Sequence, residues 1–184
     1  MLNVVSYNKI LITLVVVPVN NTTCPVSKDE LRNRLNQIYA QAIVEFNVTF
    51  ASNFDVNYDL DGDGKLKDKG KETFSSYTDE MNAVINAYAE KNSIKKQNLY
   101  LFLVKDPGTG NQGYMPIKKQ FGFLYMTSNN QQSDVFARTV AHELAHGAFR
   151  LYHTFSAENK YKITESTDNL MDYNGGTALY KYQW

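Results

Sequence analysis

The sequence predicts an α/β fold in which helices pack on a mixed, twisted sheet. Runs dense in β-branched and apolar residues recur along the chain, as at 9–20 and 98–105. Segments with apolar residues at helical spacing separate these runs. No internal repeat, low-complexity stretch or linker interrupts the order, so a single domain over 1–184 is expected.

The first half of the chain alternates strand and helix. KILITLVVVPVN at 9–20 predicts a buried strand, since it is rich in β-branched residues and too short to span a bilayer. No small-x-small cleavage pattern follows it, so a signal peptide is not evident. Ser27 and Glu30 have capping-box spacing and predict a helix over about 28–44. FNVTFAS at 46–52 alternates like a second strand.

The second half contains two more helices and two more strands. Helical periodicity returns at 76–92, and NLYLFLVK at 98–105 reads as a central strand. After a glycine-rich turn, KQFGFLYMTS at 119–128 is an aromatic strand candidate. The last clear helix is expected over about 133–149, with its cap supplied by Ser133 or Asp134.

Composition limits the chemistry that the chain can perform. Nineteen basic and 19 acidic residues cancel, without a long run of either sign, so neither nucleic acid nor an anionic membrane surface is indicated as a partner. Cys24 is the single cysteine, which excludes an intrachain disulfide and a thiolate metal cluster from this chain alone. Histidine and carboxylate are therefore the available metal ligands.

All three histidines fall within HELAHGAFRLYH at 142–153. On a helix, His142 and His146 lie one turn apart on one face, so both imidazoles can reach one ion. Glu143 lies beside them, close enough to accept a proton from a metal-activated water. The signature is short and ordinary hydrogen-bonded histidines would be the alternative, but the helical context favours a metal site.

The position of His153 predicts where this helix ends. In an unbroken helix, His153 would lie about 10 Å beyond His146 along the axis, too far to share an ion. The helix must therefore end between them and before Tyr152. Gly147 is the residue expected to take a left-handed turn or an early cap there, a bulge before His153 being the alternative.

The segments HELAHGAFRLYHTF and NLMDY, at 142–155 and 169–173, resemble the metzincin zinc metallopeptidases, in particular their pappalysin-like or cytophagalysin-like branch. That branch pairs His-Glu-x-x-His-x-x-Gly-x-x-His, commonly followed by Thr-Phe, with a later methionine turn of the form Asn-x-Met-Asp-Tyr. This chain has one additional residue before its third histidine. Phe149 or Arg150 stands where the family has glycine.

The resemblance implies a zincin-like α+β domain with an irregular C-terminal part over about 148–184. It also implies one catalytic Zn²⁺ bound by His142, His146 and His153, with Glu143 as general base. Because of the additional residue, three carboxylates remain admissible as the third ligand. They are Glu165, Asp168 and Asp172.

Three further expectations concern the cleft. The resemblance implies that Met171 packs beneath the metal and that Tyr173 can direct its hydroxyl at the metal or at a developing oxyanion. A substrate peptide could lie extended along an edge strand formed by FGFLYM at 121–126. An ordinary buried strand also fits that aromatic segment. The substrate-facing residues would be Gly122, Phe123 and Leu124.

DLDGDGKL at 59–66 resembles the first half of an EF-hand calcium loop. Asp59, Asp61 and Asp63 alternate there as candidate Ca²⁺ ligands. Position twelve would be Gly70, where the loop needs glutamate, although Glu72 is close. A solvated, glycine-rich turn is the alternative to a calcium site.

These features predict a zinc-dependent endopeptidase that hydrolyses a peptide or protein substrate. The competing functions are a non-catalytic metal-binding or calcium-binding module on a zincin scaffold, and an effector or toxin domain of a larger secreted protein. Secretion, alone or within such a protein, is favoured. No membrane insertion is expected.

Overall fold

A computed structural model describes residues 8–69, 76–159 and 163–180, which include a five-stranded sheet in the order β2-β1-β3-β5-β4. The strands are β1 (Ile10–Pro18), β2 (Val44–Phe50), β3 (Asn98–Lys105), β4 (Gly113–Tyr114) and β5 (Phe121–Met126). The helices are α1 (Lys28–Tyr39), α2 (Asp79–Lys91) and α3 (Ser133–Phe149), with short 3-10 turns at Ala40–Ala42 and Asn129–Gln131. All neighbouring strands are parallel except β4, which is antiparallel to β5. The predicted α/β fold with a mixed sheet is confirmed.

Helices cover both faces of this sheet. Leu101 and Leu103 of β3 belong to the apolar cluster that contains α1 and α3. Phe102 and Val104, which point the other way, belong to the cluster that contains α2. Strand β3 is therefore buried on both faces, as its continuous apolar run predicted.

Helix α1 begins as predicted but ends earlier. The Glu30 N–H donates to the Ser27 hydroxyl oxygen at 3.2 Å, which confirms the cap. The predicted end near residue 44 is wrong, because the α-helix stops at Tyr39 and Ile43 adopts a left-handed conformation with φ 58°. Val44 is paired with Ile10 in the sheet, so the chain must turn before it.

Strand β4 was not predicted, and it changes the place of β5. Gly113 pairs with Leu124 and Tyr114 pairs with Phe123, so β4 lies outside β5. The expectation that Gly122, Phe123 and Leu124 form the edge of the sheet is therefore wrong. A strand of two residues within a glycine-rich turn has too few positions to show periodicity.

The C-terminal part contains neither a helix nor a strand of the main sheet within 150–159 and 163–180, in agreement with the expected irregular region. Its backbone is held by an isolated bridge between Asn169 and Ala178. Among the described residues, no helix has the length and apolar character needed to cross a membrane.

Candidate metal centre

Helix α3 carries two of the three histidines. Its observed span, Ser133–Phe149, agrees with the prediction of about 133–149. The predicted side-chain cap is wrong, since Gln132 occupies the cap position and no side chain caps the helix. Asp134 instead forms an ion pair with Arg34 of α1, at 2.6 Å.

The helix ends before Tyr152, but through a residue other than the one expected. Arg150 has φ 61°, and the next N–H, that of Leu151, donates to the Ala145 carbonyl at 3.0 Å. This left-handed residue ends the helix, and the hydrogen bond across the end spans six residues, one more than in a Schellman cap. The prediction that Gly147 breaks the helix is wrong, because Gly147 lies within it.

Gly147 is constrained by packing and not by backbone conformation. A Cβ atom there would lie 2.3 Å from Met115 Cε and 2.8 Å from the carbonyl oxygen of Lys119. The absence of a side chain thus allows the segment between β4 and β5 to approach α3 closely.

The three histidines converge on one point. The Nε2 atom of His153 lies 3.1 Å from Nε2 of His142 and 3.2 Å from Nε2 of His146. A tetrahedral zinc ion with Zn–N bonds of about 2.0–2.1 Å would place its nitrogen ligands roughly 3.3 Å apart. The donor type, the number of donors and their spacing all fit a zinc site with one open position.

Backbone carbonyls orient two of these rings. Nδ1 of His142 lies 2.8 Å from the Leu170 carbonyl oxygen, and Nδ1 of His146 lies 2.6 Å from that of Leu151. A carbonyl oxygen can only accept, so each Nδ1 must carry the proton and donate it. Each Nε2 then presents a lone pair toward His153, which is the tautomer that a metal ligand requires.

Burial keeps the three imidazoles neutral. It lowers the pKa of His142 to about 4 and that of His153 to about 3. The pKa of His146 is also well below its ordinary value, through burial and the adjacent histidines. Since the neutral ring is the ligand form, the site is prepared for a cation at pH 7.

Two of the three carboxylates considered as third ligands, Asp168 and Asp172, accept other hydrogen bonds. The buried Asp172 carboxylate accepts hydrogen bonds from the N–H groups of Glu165 at 2.6 Å, Thr167 at 2.9 Å and Tyr173 at 2.7 Å. Burial alone would raise the pKa of Asp172, but these hydrogen bonds outweigh it and leave the pKa lowered. Asp168 accepts from the Tyr180 hydroxyl.

Among the described residues, the triads with ligand atoms within 4.8 Å of one another are the three histidines and the three loop aspartates. Glu165, Asp168 and Asp172 belong to neither triad. The geometry thus favours His153 as the third ligand.

The segment NLMDY forms a tight turn, in which the Asp172 N–H donates to the Asn169 carbonyl at 3.1 Å. Met171 is fully buried, and its N–H donates to Asn169 Oδ1 at 2.8 Å. Its carbonyl accepts from the N–H of Thr154, the residue after His153, at 3.1 Å. Met171 also belongs to the apolar cluster that includes Leu144 of α3. Its surroundings fit the packing role that the resemblance implied.

Arg138 joins this turn to α3, and sequence reasoning missed it. Its guanidinium donates to the carbonyl oxygens of Asp172 at 2.5 Å, Gly176 at 2.9 Å and Leu170 at 3.4 Å. The available signal was its spacing, four residues before His142 and thus on the same face of the helix.

The triad opens into a cleft of about 630 Å³ that Glu143 and Tyr173 also line. Glu143 is 7% exposed, and burial raises its pKa to about 8. The Met115 N–H donates to its carboxylate, and a Cβ at Gly113 would lie 2.9 Å from its Cγ. The Tyr173 hydroxyl lies 3.3 Å from Nε2 of His153, while its side chain remains 54% exposed.

The aspartate loop is a separate feature. The Asp59 carboxylate accepts from the N–H groups of Gly62 at 2.7 Å and Gly64 at 2.9 Å. One carboxylate oxygen from each of Asp59, Asp61 and Asp63 lies within 4.8 Å of the other two. These aspartates do not line the histidine cleft. The remaining candidates for the second half of a calcium loop, Gly70 and Glu72, lie outside the described residues.

Neither a protein-family model nor a curated protein matches this sequence. Among solved structures, 25 chains match. One of them, described as "Structure of a chaperone-substrate complex", aligns with a TM-score of 0.52 and 14% identity. The match covers 82% of this chain but 25% of that chain, so the present chain spans about a quarter of its length. This similarity concerns the fold alone.

Proposed function

We propose that this protein is a zinc-dependent endopeptidase, the function that the resemblance of 142–173 to metzincins implies. One observation carries the proposal: three neutral imidazole nitrogens converge beside the Glu143 carboxylate, in a cleft open to solvent. Structural zinc sites are usually closed by four protein ligands, whereas catalytic sites keep three and an open position. His142, His146 and His153 would hold the ion.

When bound, zinc supplies Lewis-acid chemistry, polarising a carbonyl and making a water molecule more acidic. Glu143 accepts the proton of that water on its carboxylate and then donates it to the departing amine. Burial raises the pKa of Glu143 to about 8 in the metal-free protein, and the positive charge of a bound ion would favour the carboxylate form that accepts a proton. The Met115 N–H holds the carboxylate in position.

Tyr173 has the geometry of an oxyanion donor. Its ring packs edge-on against His153 and Phe155, at centroid distances of 5.0 Å from each. These contacts direct the hydroxyl toward the triad while leaving the ring partly exposed. There it can donate a hydrogen bond to the negative oxygen that develops during peptide hydrolysis.

We place the substrate along β4, the strand that lies at this edge of the sheet. Gly113 and Tyr114 pair with β5 on one side and line the cleft on the other. An extended peptide can add to such an edge through main-chain hydrogen bonds, which require no particular sequence. Gly113 has no side chain to keep a peptide backbone away from Glu143.

The test is the Glu143→Gln variant, loaded with zinc and incubated with a mixed peptide library. Wild-type protein should cleave, and the variant should lose roughly 10²- to 10⁴-fold in rate while binding the same amount of zinc. Glu90→Gln, an exposed carboxylate on α2, is the matched control and should remain active. Retained activity in Glu143→Gln would contradict the role of Glu143. A zinc-loaded wild type that cleaves no peptide would refute the proposal.

A non-catalytic metal-binding or calcium-binding module is the competing function. The convergence of Asp59, Asp61 and Asp63 favours it, since carboxylate oxygens are the ligands that Ca²⁺ prefers. Calorimetric titration with Ca²⁺ of wild type and Asp61→Asn tests this ion site without reference to hydrolysis. Calcium binding without peptide cleavage would support the module.

A further inference from the structure

We infer that Asp68 is a positioning residue that fixes the rim of the metal cleft, defined as residues 108–113. Asp68 lies two residues after the aspartate loop at 59–66 and does not line the cleft. The expected effect on peptide binding rests on the proposed function. The expected effect on the conformation of the rim does not.

The sheet holds the rim at its Gln112 end. The Gln112 carbonyl accepts from the Tyr125 N–H at 3.0 Å and from Asn130 Nδ2 at 2.9 Å, so the chain is fixed from that point onward. Upstream, Gly108 and Gly110 adopt φ 78° and 82°. Glycines have wide conformational freedom, so this part of the rim needs another restraint to keep a single conformation.

Asp68 supplies that restraint. Its Oδ2 accepts from the Thr109 hydroxyl at 2.8 Å and from Asn111 Nδ2 at 2.5 Å. Its Oδ1 accepts from the buried Tyr125 hydroxyl at 2.7 Å. One carboxylate thus joins two rim residues to strand β5, through hydrogen bonds strengthened by its charge.

Asp68 is itself attached to fixed backbone. The buried Glu80 carboxylate of α2 accepts from the N–H groups of Lys67 at 2.5 Å and Leu60 at 2.8 Å. The Lys67 carbonyl accepts from the Thr78 hydroxyl at 2.8 Å, and Leu66 is buried in the α2 cluster. These contacts fix the backbone that leads to Asp68, so its restraint is transmitted from the rigid part of the molecule.

The restraint matters because the rim ends at Gly113, beside Glu143. A peptide that adds to β4 must meet a rim of defined shape, and a mobile rim would have to be ordered on binding. That ordering weakens binding without altering groups that take part in bond cleavage. Loss of the Asp68 contacts should therefore raise KM and leave kcat nearly unchanged.

Asp68→Asn provides the test. The amide keeps the shape of the side chain but removes its charge and replaces one acceptor oxygen with an N–H donor, so the contacts to Tyr125 and the rim become weaker. We expect KM to rise about tenfold and kcat to change less than about twofold, with zinc content unchanged. Asp106→Asn is the matched control. One carboxylate oxygen accepts from the Gly108 N–H, and the amide oxygen of asparagine can keep this bond, so we expect no change in KM.

A double-mutant cycle separates the rim contact from a general effect on folding. Thr109→Val removes one donor to Asp68 and should raise KM less than Asp68→Asn does. The double variant should be no worse than Asp68→Asn alone, because both changes break the same contact. Additive effects in the cycle would overturn the inference.

Hydrogen exchange of the zinc-loaded protein tests the rim without any substrate. The amides of 109–111 should exchange faster in Asp68→Asn than in wild type or Asp106→Asn. Unchanged exchange would overturn the inference even if the enzyme were active. Conversely, if wild type cleaves no peptide, the proposed function fails while faster exchange would still support the role of Asp68 in fixing the rim.

Discussion

Nδ1 of His142 lies 2.8 Å from the carbonyl oxygen of Leu170, the residue that precedes Met171. Arg138, one turn earlier on the same helix, donates to the same carbonyl at 3.4 Å. One peptide group of the turn at 169–173 therefore fixes the tautomer of a candidate metal ligand and contacts the helix that carries it.

The third ligand can be identified by measuring bound metal. We expect His153→Ala to hold much less zinc than wild type after dialysis, since its Nε2 lies within 3.2 Å of both other Nε2 atoms. Elemental analysis measures this directly. Glu165→Gln, which removes a competing carboxylate, should keep the wild-type content. Zinc that stays unchanged in His153→Ala would show that another side chain completes the site.

Arg138→Met should weaken zinc binding while preserving all three ligands. Loss of outer contacts that orient metal ligands typically reduces affinity about 10- to 100-fold, and Arg138 holds the carbonyl that orients His142. Competition with a chromophoric chelator measures the affinity. Arg32→Met, an exposed arginine on α1, should bind zinc as wild type does. Equal affinity in the two variants would argue against the role of Arg138.

Arg150→Gly should stabilise the protein. Arg150 has φ 61°, a conformation that glycine adopts without the steric cost that other residues incur. The gain in free energy of unfolding should be at most about 1 kcal/mol, measured by urea denaturation of the metal-free protein. A loss of stability would mean that contacts of the arginine side chain outweigh the backbone strain.

Gly147→Ala should have the opposite effect. The added methyl group would overlap the Met115 side chain. It would also lie 2.8 Å from the backbone carbonyl oxygen of Lys119, which cannot rotate away as a side chain can. Overpacking of this kind costs roughly 1–3 kcal/mol, seen as a lower urea midpoint. If alanine were tolerated without loss, the close approach between α3 and the segment before β5 would be incorrect.

The metal-free protein should lose stability as the pH falls. Unfolded histidines titrate near pH 6.5, whereas burial lowers the pKa of His142 to about 4 and that of His153 to about 3. Between these values the histidines bind more protons in the unfolded state, so acid favours unfolding; Glu143, with its pKa raised to about 8, offsets part of this loss. At pH 5 each of these histidines should cost on the order of 2 kcal/mol relative to pH 7.

Urea titrations at several pH values, with chelator present, measure this dependence. His153→Asn should show a shallower loss of stability between pH 7 and pH 5, because one titrating group has been removed. An unchanged slope in that variant would contradict the burial of a neutral His153.

Local patterns predicted the elements that are long and periodic. The span of α3, the cap of α1 at Ser27 and the burial of β3 all follow from interactions between residues close in sequence. Strand β4 could not be predicted in this way, since its two residues are defined by pairing with β5. The same pairing moved the edge of the sheet away from Gly122, Phe123 and Leu124.

The sequence by itself determined the candidate ligands, because HELAH places two imidazoles and a carboxylate together on any helix. It also required α3 to end before His153, since helical rise separates residues seven apart. Only the tertiary structure decided how that end is made. Gly147 was the obvious residue for a turn, but it lies within α3, where Met115 and the Lys119 carbonyl approach it closely. Arg150 adopts the left-handed conformation instead. Local conformational preference favours glycine for such a residue, but packing between segments distant in sequence decides where the helix ends.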